Sequence, residues 1–398
     1  MLPFVLARIF RPTFLDVFGL SNFQLGVCFS IYGTVALLSY LWGGAIADRY
    51  KPRTLMALAL FLTGLGGFVM ATFPSYGIMK LLFGYWGFVT VFLFWGAMIK
   101  ATRVWGGEER QGRAFGFLDG GRGLVAAGIG SLGVLIFAII LPEDISLITS
   151  IERQEAFQYV ILFATGLVIL VAVLVLIFLQ SDKVEGVDNK QKFTKTTLRN
   201  FKILLKIPAV WWLMLIVLCA YVGYKTTDIL SLYANKVMLY NEVESAKIGT
   251  FLLYLRPIIG ISIGFMADKS RASLLIIIGF IMMFLGALLF ASGIVGAQVH
   301  YLFFFSLIIT ALGVYAIRAL YFATMQAGAI PLAMTGAAIG LISFVGYTPD
   351  IFMGPLTGIL LDNSPGKVGH QHVFMVLASF SAIGLLASIA FHRITKSK

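Results

Sequence analysis

Apolar runs of about 20 residues recur along almost the whole chain, and each is long enough to cross ~30 Å of hydrocarbon as a helix. Only helices and closed barrels span lipid, because every backbone N–H and C=O group must be paired there. Barrel strands would alternate polar and apolar residues over about 10 positions, whereas these runs are continuous. The pattern therefore predicts an all-α, polytopic membrane protein with about twelve transmembrane helices.

The composition argues against a soluble protein. Charged residues make up 12% of the 398 residues, whereas soluble domains carry about 25%. The net charge of +12 is compatible with nucleic-acid binding. Most of the basic residues lie in alternate loops between the predicted helices, so no nucleic-acid partner is expected. Cys28 and Cys219 lie in separate apolar runs, which predicts no disulfide framework. We expect no cofactor and no metal, since the four histidines lack metal-ligand spacing.

A long polar segment divides the chain near its middle. We predict a six-helix bundle over residues 1–180, a central loop over 181–207 and a second six-helix bundle over 208–398. The central loop and alternate links are basic, whereas the link 142–155 is mostly acidic. By the positive-inside rule, the central loop and the C-terminus face the cytoplasm of a multi-pass protein in the cell inner (plasma) membrane. The first helix, at residues 1–18, is short for a span, and we expect a truncated or misassigned start.

A short signature occurs once in each half of the chain. Residues 44–49 read GAIADR after the second predicted helix, and residues 264–269 read GFMADK after the eighth. One copy alone is weak evidence for a functional motif, because an ordinary turn with charged residues at a helix end has the same pattern. Two copies at equivalent helix ends indicate an internal duplication. The predicted conformational gating motif consists of Gly44, Ala47, Asp48, Arg49, Arg53, Gly264, Asp268 and Lys269.

These signatures resemble the loop motif of the major facilitator superfamily, in which glycine, two residues, alanine and aspartate precede a base. Residues 51 and 52 depart from the family pattern, since lysine and proline replace glycine and a base. The resemblance implies two pseudo-symmetric six-helix bundles that give alternating access to a central cavity. It also implies that the motif aspartate pairs across the seam between the halves and favours an outward-open state.

Charged residues inside the predicted helices are the strongest indication of function. Each charge at mid-bilayer costs at least about 2.5–3.5 kcal/mol, so it should face water or a partner. Seven cations against three acids favour an anionic substrate, which arginine binds through bidentate hydrogen bonds. The predicted substrate-binding residues are Arg8, Arg122, Lys225, Arg256 and Arg318, and the predicted coupling or charge-pairing residues are Asp119, Asp228 and Asp350.

The acids leave two roles open. Asp119 with Arg122, and Lys225 with Asp228, have the i,i+3 spacing of ion pairs along a helix. Alternatively, one acid carries a coupling proton, because neighbouring charges and lipid change how readily a carboxyl binds a proton. Exchange of two anions would need no proton. Five tyrosines are candidate hydroxyl donors, although ordinary packing at the membrane interface is the commoner role: Tyr32, Tyr224, Tyr254, Tyr315 and Tyr347.

A finer resemblance involves the first and seventh helices. The residues before and including Arg8 are similar to those of organophosphate:phosphate antiporters, which carry one arginine in the first helix and another in the seventh. In the seventh-helix region this chain has Lys225. Lysine keeps the positive charge of arginine but lacks its planar guanidinium group. The resemblance implies a secondary transporter for a small organic anion that bears a phosphate, carboxylate or sulfonate.

Other functions are weighed against this transporter. The alternatives are a nitrate-type inorganic anion transporter and a non-transporting anion receptor on the same scaffold. An enzyme is not expected, because the sequence offers no nucleophile–base pair inside the helices. The expected partners of a monomer are a small anionic solute, a coupling proton or counter-anion, and the lipid bilayer.

Overall fold

The computed structural model describes residues 2–106, 111–140, 149–179, 202–321, 324, 328, 330 and 335–396. In these ranges the chain forms helices joined by short turns. No strand occurs in these ranges. The first half contains α1 (Leu2–Ile9), α2 (Arg11–Val17), α3 (Asn22–Arg49), α4 (Pro52–Met70), α5 (Tyr76–Phe88), a π-helix (Val89–Trp95), α6 (Gly96–Gly106), α7 (Gln111–Ile140) and α8 (Ser150–Phe178). The second half contains α9 (Pro208–Thr226), a 3₁₀ turn (Thr227–Ile229), α10 (Leu230–Lys236), α11 (Glu242–Lys269), α12 (Ala272–Ala291), α13 (His300–Leu320), α14 (Thr335–Gly346), α15 (Pro349–Asn363) and α16 (Lys367–Lys396).

Ten helical segments in the described part of the chain are long and apolar enough to cross a membrane. One of them, Tyr76–Ile99, runs from α5 through the π-helix into α6, and another, Pro208–Lys236, joins α9 to α10. Two further predicted spans are pairs of shorter helices, α1 with α2 and α14 with α15. The prediction of an all-α, polytopic membrane protein is confirmed, and about twelve spans fit this arrangement.

Each pair of shorter helices breaks next to a proline. Pro12 occupies the second position of α2, where the missing N–H costs nothing because it has no partner within the helix. Pro349 is the first residue of α15. A proline cannot donate a hydrogen bond to the carbonyl four residues earlier, and its ring clashes with that carbonyl, so neither span continues as one regular helix. These breaks explain why each of these two spans consists of two helices that are individually shorter than the other ten spans.

The described residues pack into two compact units. Unit 1 consists of Met1–Lys183, Asp228–Pro257 and Asp350–Gly366, and the rest of the chain forms unit 2. Unit 1 therefore joins the first half of the chain to two segments of the second half. The predicted domains, 1–180, 181–207 and 208–398, stay a prediction, because packing units and duplicated sequence halves divide the chain by different criteria.

An aromatic cluster holds the first two helices in unit 1. The rings of Phe10 and Phe137 are 5.3 Å apart edge to face, and those of Phe10 and Phe157 are 5.6 Å apart. All three side chains are fully buried. Such aromatic pairs contribute about 0.5–1.5 kcal/mol beyond the burial of their surface. The cluster fixes the junction of α1 and α2 against α7 and α8, and thereby positions Arg8.

Glycines bring α3 and α15 into direct backbone contact within unit 1. A Cβ added at Gly26 would overlap the backbone of Gly354, and one added at Gly358 would overlap the backbone of Phe23. Small residues allow this close approach, which is a common way for helices to pack in lipid. The glycine seam therefore ties a helix of the first half to a helix of the second half.

We predict that Gly26→Ala lowers the free energy of unfolding by about 1–3 kcal/mol, because the new methyl group has no space at the seam. Denaturant unfolding in detergent measures this change. Gly128→Ala is the matched control, since a Cβ at Gly128 of α7 meets no atom within 4 Å. Equal stability of the two variants would contradict the seam.

Candidate functional site

Unit 2 places an arginine on the faces of two tyrosines. Arg318 lies in the last turn of α13. Its guanidinium carbon is 3.9 Å from the ring centre of Tyr224 and 5.5 Å from that of Tyr221, both on α9. A guanidinium within about 6 Å of a ring centre is attracted to the negative face of the ring, by about 0.5–2 kcal/mol. Stacking of this kind holds the guanidinium in place and leaves its N–H edge for hydrogen bonds.

Two further tyrosines complete this cluster. Tyr321 follows α13, and Tyr347 lies in the turn between α14 and α15. Their hydroxyl oxygens are 3.1 Å apart, and the ring centres of Tyr221 and Tyr347 are 4.8 Å apart. We refer to Arg318 with Tyr221, Tyr224, Tyr321 and Tyr347 as the arginine–tyrosine cluster. It combines one positive charge, aromatic surface and a pair of hydroxyl groups.

The charge of Arg318 makes this cluster a candidate ligand site. Its Nη1 atom is buried and makes no hydrogen bond in the described part of the chain. Among the same residues, no carboxylate forms an ion pair with it. A buried polar group without a partner costs about 1–3 kcal/mol, and more when it is charged. An anion in contact with Nη1 would remove this cost.

Arg8 has a different environment in unit 1. Its Nε donates to Oδ1 of Asp228 at 2.5 Å, and the two side chains are only 6% and 7% exposed. The hydroxyl of Ser231 donates to the backbone carbonyl of Arg8 at 2.6 Å. The pairing of Asp228 with Lys225 at the i,i+3 spacing stays a prediction. The structure gives this acid a partner in the first helix, which sequence spacing alone does not reveal.

A π-helix shapes a third cationic site, also in unit 1. Trp95 is the last residue of the π-helix Val89–Trp95, and the guanidinium carbon of Arg122 lies 5.2 Å from a ring centre of Trp95. In the same π-helix, the hydroxyls of Thr90 and Tyr32 are 2.7 Å apart. The Arg122 side chain is exposed. Because π-helical turns are frequent at functional sites, Thr90 and Trp95 are candidates that the sequence analysis missed.

Asp350 lies beside the third site, because a Cβ added at Gly33, the residue after Tyr32, would be 2.9 Å from the Cβ of Asp350. Lys225 is 6% exposed near the end of α9. Arg256 and Asp350 are half-buried in α11 and α15. In the gating motif, the Nε atom of Arg53 is buried without a hydrogen bond to a described residue, and a Cβ at Gly264 would meet no atom within 4 Å. The side chains of Asp119, Gly44, Ala47, Asp48, Arg49, Asp268 and Lys269 lie outside those that the structure describes.

An ion-pair network joins helix ends of unit 1 at the face that carries the starts of α3, α8 and α11, here called the outer face. Arg153 of α8 contacts Asp16 at 2.6 Å and Glu242 of α11 at 2.7 Å. The hydroxyl of Thr13 donates to Glu242 at 2.9 Å. Arg153 lies at the edge of an acidic loop, so sequence analysis gave it no role. It bridges acids from both halves of the chain.

Asp362 makes a second link at the outer face. This residue of α15 accepts hydrogen bonds from the backbone N–H groups of Asn22 at 3.0 Å and Phe23 at 2.7 Å. These are the first residues of α3, where backbone N–H groups lack partners within the helix and favour a negative charge. The amide oxygen of Asn22 accepts from Arg11 at 3.1 Å. The outer face of unit 1 is therefore held by polar contacts at two separate places.

The sequence profile described as Major Facilitator Superfamily matches residues 2–349 of the chain. The chain belongs to the major facilitator superfamily. Two Escherichia coli (strain K12) proteins resemble this superfamily member over 94% of its length. Inner membrane protein YqcE is 23% identical, with 86% of its own chain covered, and inner membrane protein YihN is 26% identical, with 87% covered.

The superfamily fold is also seen in a solved structure. A bacterial homologue of the human lysosomal transporter Spinster, in an inward-facing and occupied conformation, aligns with a TM-score of 0.73 and 14% identity. The alignment covers 98% of this chain and 94% of that one. At this identity the likeness shows the fold. Together with the family match, it identifies this superfamily member as a transporter with the alternating-access fold, and not as an enzyme.

We predict that Arg153→Gln lowers the free energy of unfolding by about 1 kcal/mol, because two partly exposed ion pairs, with Asp16 and with Glu242, are lost. Denaturant unfolding in detergent measures the loss. Arg271→Gln is the matched control, since Arg271 is exposed and forms no ion pair among the described residues. If the control loses as much stability, the bridge is not responsible.

Proposed function

We propose that this protein is a secondary transporter that moves a small organic anion across the membrane by alternating access. The observation that carries the proposal is the buried Nη1 of Arg318, which makes no hydrogen bond within the described part of the chain. A phosphate, carboxylate or sulfonate would supply the missing acceptor. Charge-assisted hydrogen bonds of this kind are about twice as strong as neutral ones.

The tyrosines around Arg318 favour an organic anion over a small inorganic one. Tyr221 and Tyr224 present aromatic surface beside the charge, and binding sites for organic molecules are mainly apolar with a few convergent polar groups. The hydroxyls of Tyr321 and Tyr347 add donors at the same place. A nitrate-type anion would use the charge and leave the aromatic surface without a partner, so nitrate transport is the alternative.

The contacts of Arg8 argue against narrowing the proposal to phosphate exchange. The resemblance to organophosphate:phosphate antiporters depends on a first-helix arginine that binds the phosphate. Here Asp228 neutralises Arg8, so less positive charge is available to a doubly charged group. We therefore keep the substrate class at organic anions that bear a phosphate, carboxylate or sulfonate.

The inner (plasma) membrane is the proposed location. Both Escherichia coli relatives are named inner membrane proteins. In the described part of this chain, ten helices are long and apolar enough to cross a membrane. The positive-inside rule places the central loop 181–207 and the C-terminus in the cytoplasm. Most of that loop lies outside the described residues. The proposed transporter is a monomer that couples substrate movement to a proton or a counter-anion.

A thermal-shift screen of the purified protein tests the binding step. We expect one class among organic phosphates, carboxylates and sulfonates to raise the melting temperature by several degrees, because a ligand that binds only the folded state stabilises it. Arg318→Gln should abolish this shift, and Arg271→Gln, an exposed arginine outside the cluster, should retain it. A full shift in Arg318→Gln would place the site elsewhere.

Proteoliposomes test the transport step. Uptake of the labelled stabilising anion, measured with and without a proton gradient, should be reduced at least tenfold in Arg318→Gln. Stimulation by the gradient would identify a proton as the coupling ion, and stimulation by internal anion would identify exchange. Specific binding without any flux would contradict a transporter and favour the receptor.

A further inference from the structure

We propose that unit 2 carries a binding site for an anionic phospholipid, in which an acyl chain fills an apolar groove and Lys367 binds the phosphate. The groove lies between the end of α12 and the beginning of α13, whereas Arg318 lies in the last turn of α13. Its volume of about 420 Å³ is within the range of about 300–1,000 Å³ that ligand pockets occupy. Six apolar residues line it: Leu285, Leu288, Leu289, Ile294, Phe305 and Ile309.

Glycines on the two helices explain where the groove begins. A Cβ added at Gly286 of α12 would overlap the hydroxyl of Thr310, and one added at Gly313 of α13 would overlap the carbonyl oxygen of Gly279. These glycines therefore let the helices touch along this part of their length. Residues 287–291, which end α12, read ALLFA and contain no glycine. Large side chains keep the two backbones apart here, and the groove is the space between those side chains.

The groove lies on a surface that faces lipid. Leu288, Ile294 and Phe305 are all exposed, and both α12 and α13 are long and apolar enough to cross a membrane. A large exposed apolar surface on a protein marks a site that contacts a membrane or another protein. In a membrane such a groove meets acyl chains, so a lipid chain is the occupant that its chemistry favours.

A tight turn after α12 brings a positive charge to one end of the groove. Gly293 has a φ of +72°, where a side chain is strained, and a Cβ there would overlap the amide nitrogen of Gln371. Gln371 donates to the backbone carbonyl of the last residue of α12 at 3.2 Å, which fixes the turn on α16. The Cε atom of Lys367 lies 3.3 Å from the place of a Cβ at Gly293. Because the next residue, Ile294, lines the groove, the ammonium group lies close to it.

Lys367 has the charge that an anionic headgroup requires. It is exposed and forms no ion pair with a described residue. It begins α16, whose first turn contains no acid, although the first turn of a helix favours negative charge. A phosphate beside Lys367 would pair with the ammonium group and lie at these backbone N–H groups. Charge complementarity therefore favours an anionic lipid over a neutral one.

The depth of Lys367 in the membrane fits a phosphate group. The proposed cytoplasmic C-terminus places the beginning of α16 at the opposite membrane surface, since α16 is long enough to cross. Lysine side chains at such a position lay their methylene groups on apolar surface and extend the charge to the headgroups. An acyl chain in the groove and a phosphate at Lys367 can thus belong to one lipid molecule.

Lipid titrations of the purified full-length protein in detergent test the proposal. The probes are dioleoylphosphatidylglycerol and dioleoylphosphatidylcholine, which have the same acyl chains and differ in net charge. We expect phosphatidylglycerol to raise the melting temperature of the wild type by about 3 °C more than phosphatidylcholine does, because a ligand that binds the folded state stabilises it. Native mass spectrometry should show a phosphatidylglycerol molecule retained on the protein.

Two variants separate the charge from the groove. Lys367→Gln should respond equally to the two lipids, because it has lost the cation. Leu288→Trp, which fills the groove at an exposed position, should no longer retain phosphatidylglycerol. Lys236→Gln is the matched control, since Lys236 is an exposed lysine of unit 1, and it should behave as the wild type does. Arg318→Gln should also keep the preference, which makes the test independent of the proposed substrate site.

Several results would overturn the lipid site. One is a preference for phosphatidylglycerol that persists in Lys367→Gln or disappears in Arg318→Gln. Another is an equal response of the wild type to the two lipids, since the groove would then take an acyl chain without recognising charge. A wild-type dimer that Leu288→Trp converts to a monomer would make the groove an interface between two copies. If Lys367→Gln fails to fold, Leu288→Trp decides, and full retention of phosphatidylglycerol by this variant contradicts the proposal.

Discussion

The organisation of this protein depends on one constraint, which is that a charge buried at membrane depth needs a partner. The sequence contains more cations than acids inside its helices, so protein carboxylates alone cannot neutralise them. The structure resolves this imbalance differently at three arginines. Arg8 has Asp228, Arg122 lies over Trp95, and Arg318 lies over Tyr224 with a buried N–H left over.

The fold follows from the sequence to a large extent. Continuous apolar runs predicted helices that span the membrane, and the repeated glycine–aspartate signature predicted the superfamily to which the chain belongs. The prolines alone do not predict where helices break, because Pro12 and Pro349 begin new helices whereas Pro257 and Pro355 lie inside continuous ones. The two packing units cannot be predicted from the sequence in this way. They depend on contacts such as Gly26 with Gly354, which join residues far apart in the chain.

The candidate site was predictable only in part. A charged residue in an apolar run is visible in the sequence, and this identified Arg318 and Arg8. Which partner each arginine takes is decided by tertiary packing, so the link between Arg8 and Asp228 and the tyrosines around Arg318 required the structure. The π-helix that carries Thr90 and Trp95 leaves no mark on an apolar run, because one residue more per turn changes direction without changing hydrophobicity.

The position of a bound anion tests the central claim most directly. In a crystal or cryo-EM structure of the protein with the anion that stabilises it, we predict density for the anionic group about 2.7–2.9 Å from Nη1 of Arg318, the distance of a charge-assisted hydrogen bond. The aromatic rings of Tyr221 and Tyr224 should border the rest of the molecule. A bound anion that makes no contact with Arg318, or an Nη1 atom paired with a carboxylate of the protein, would contradict the account.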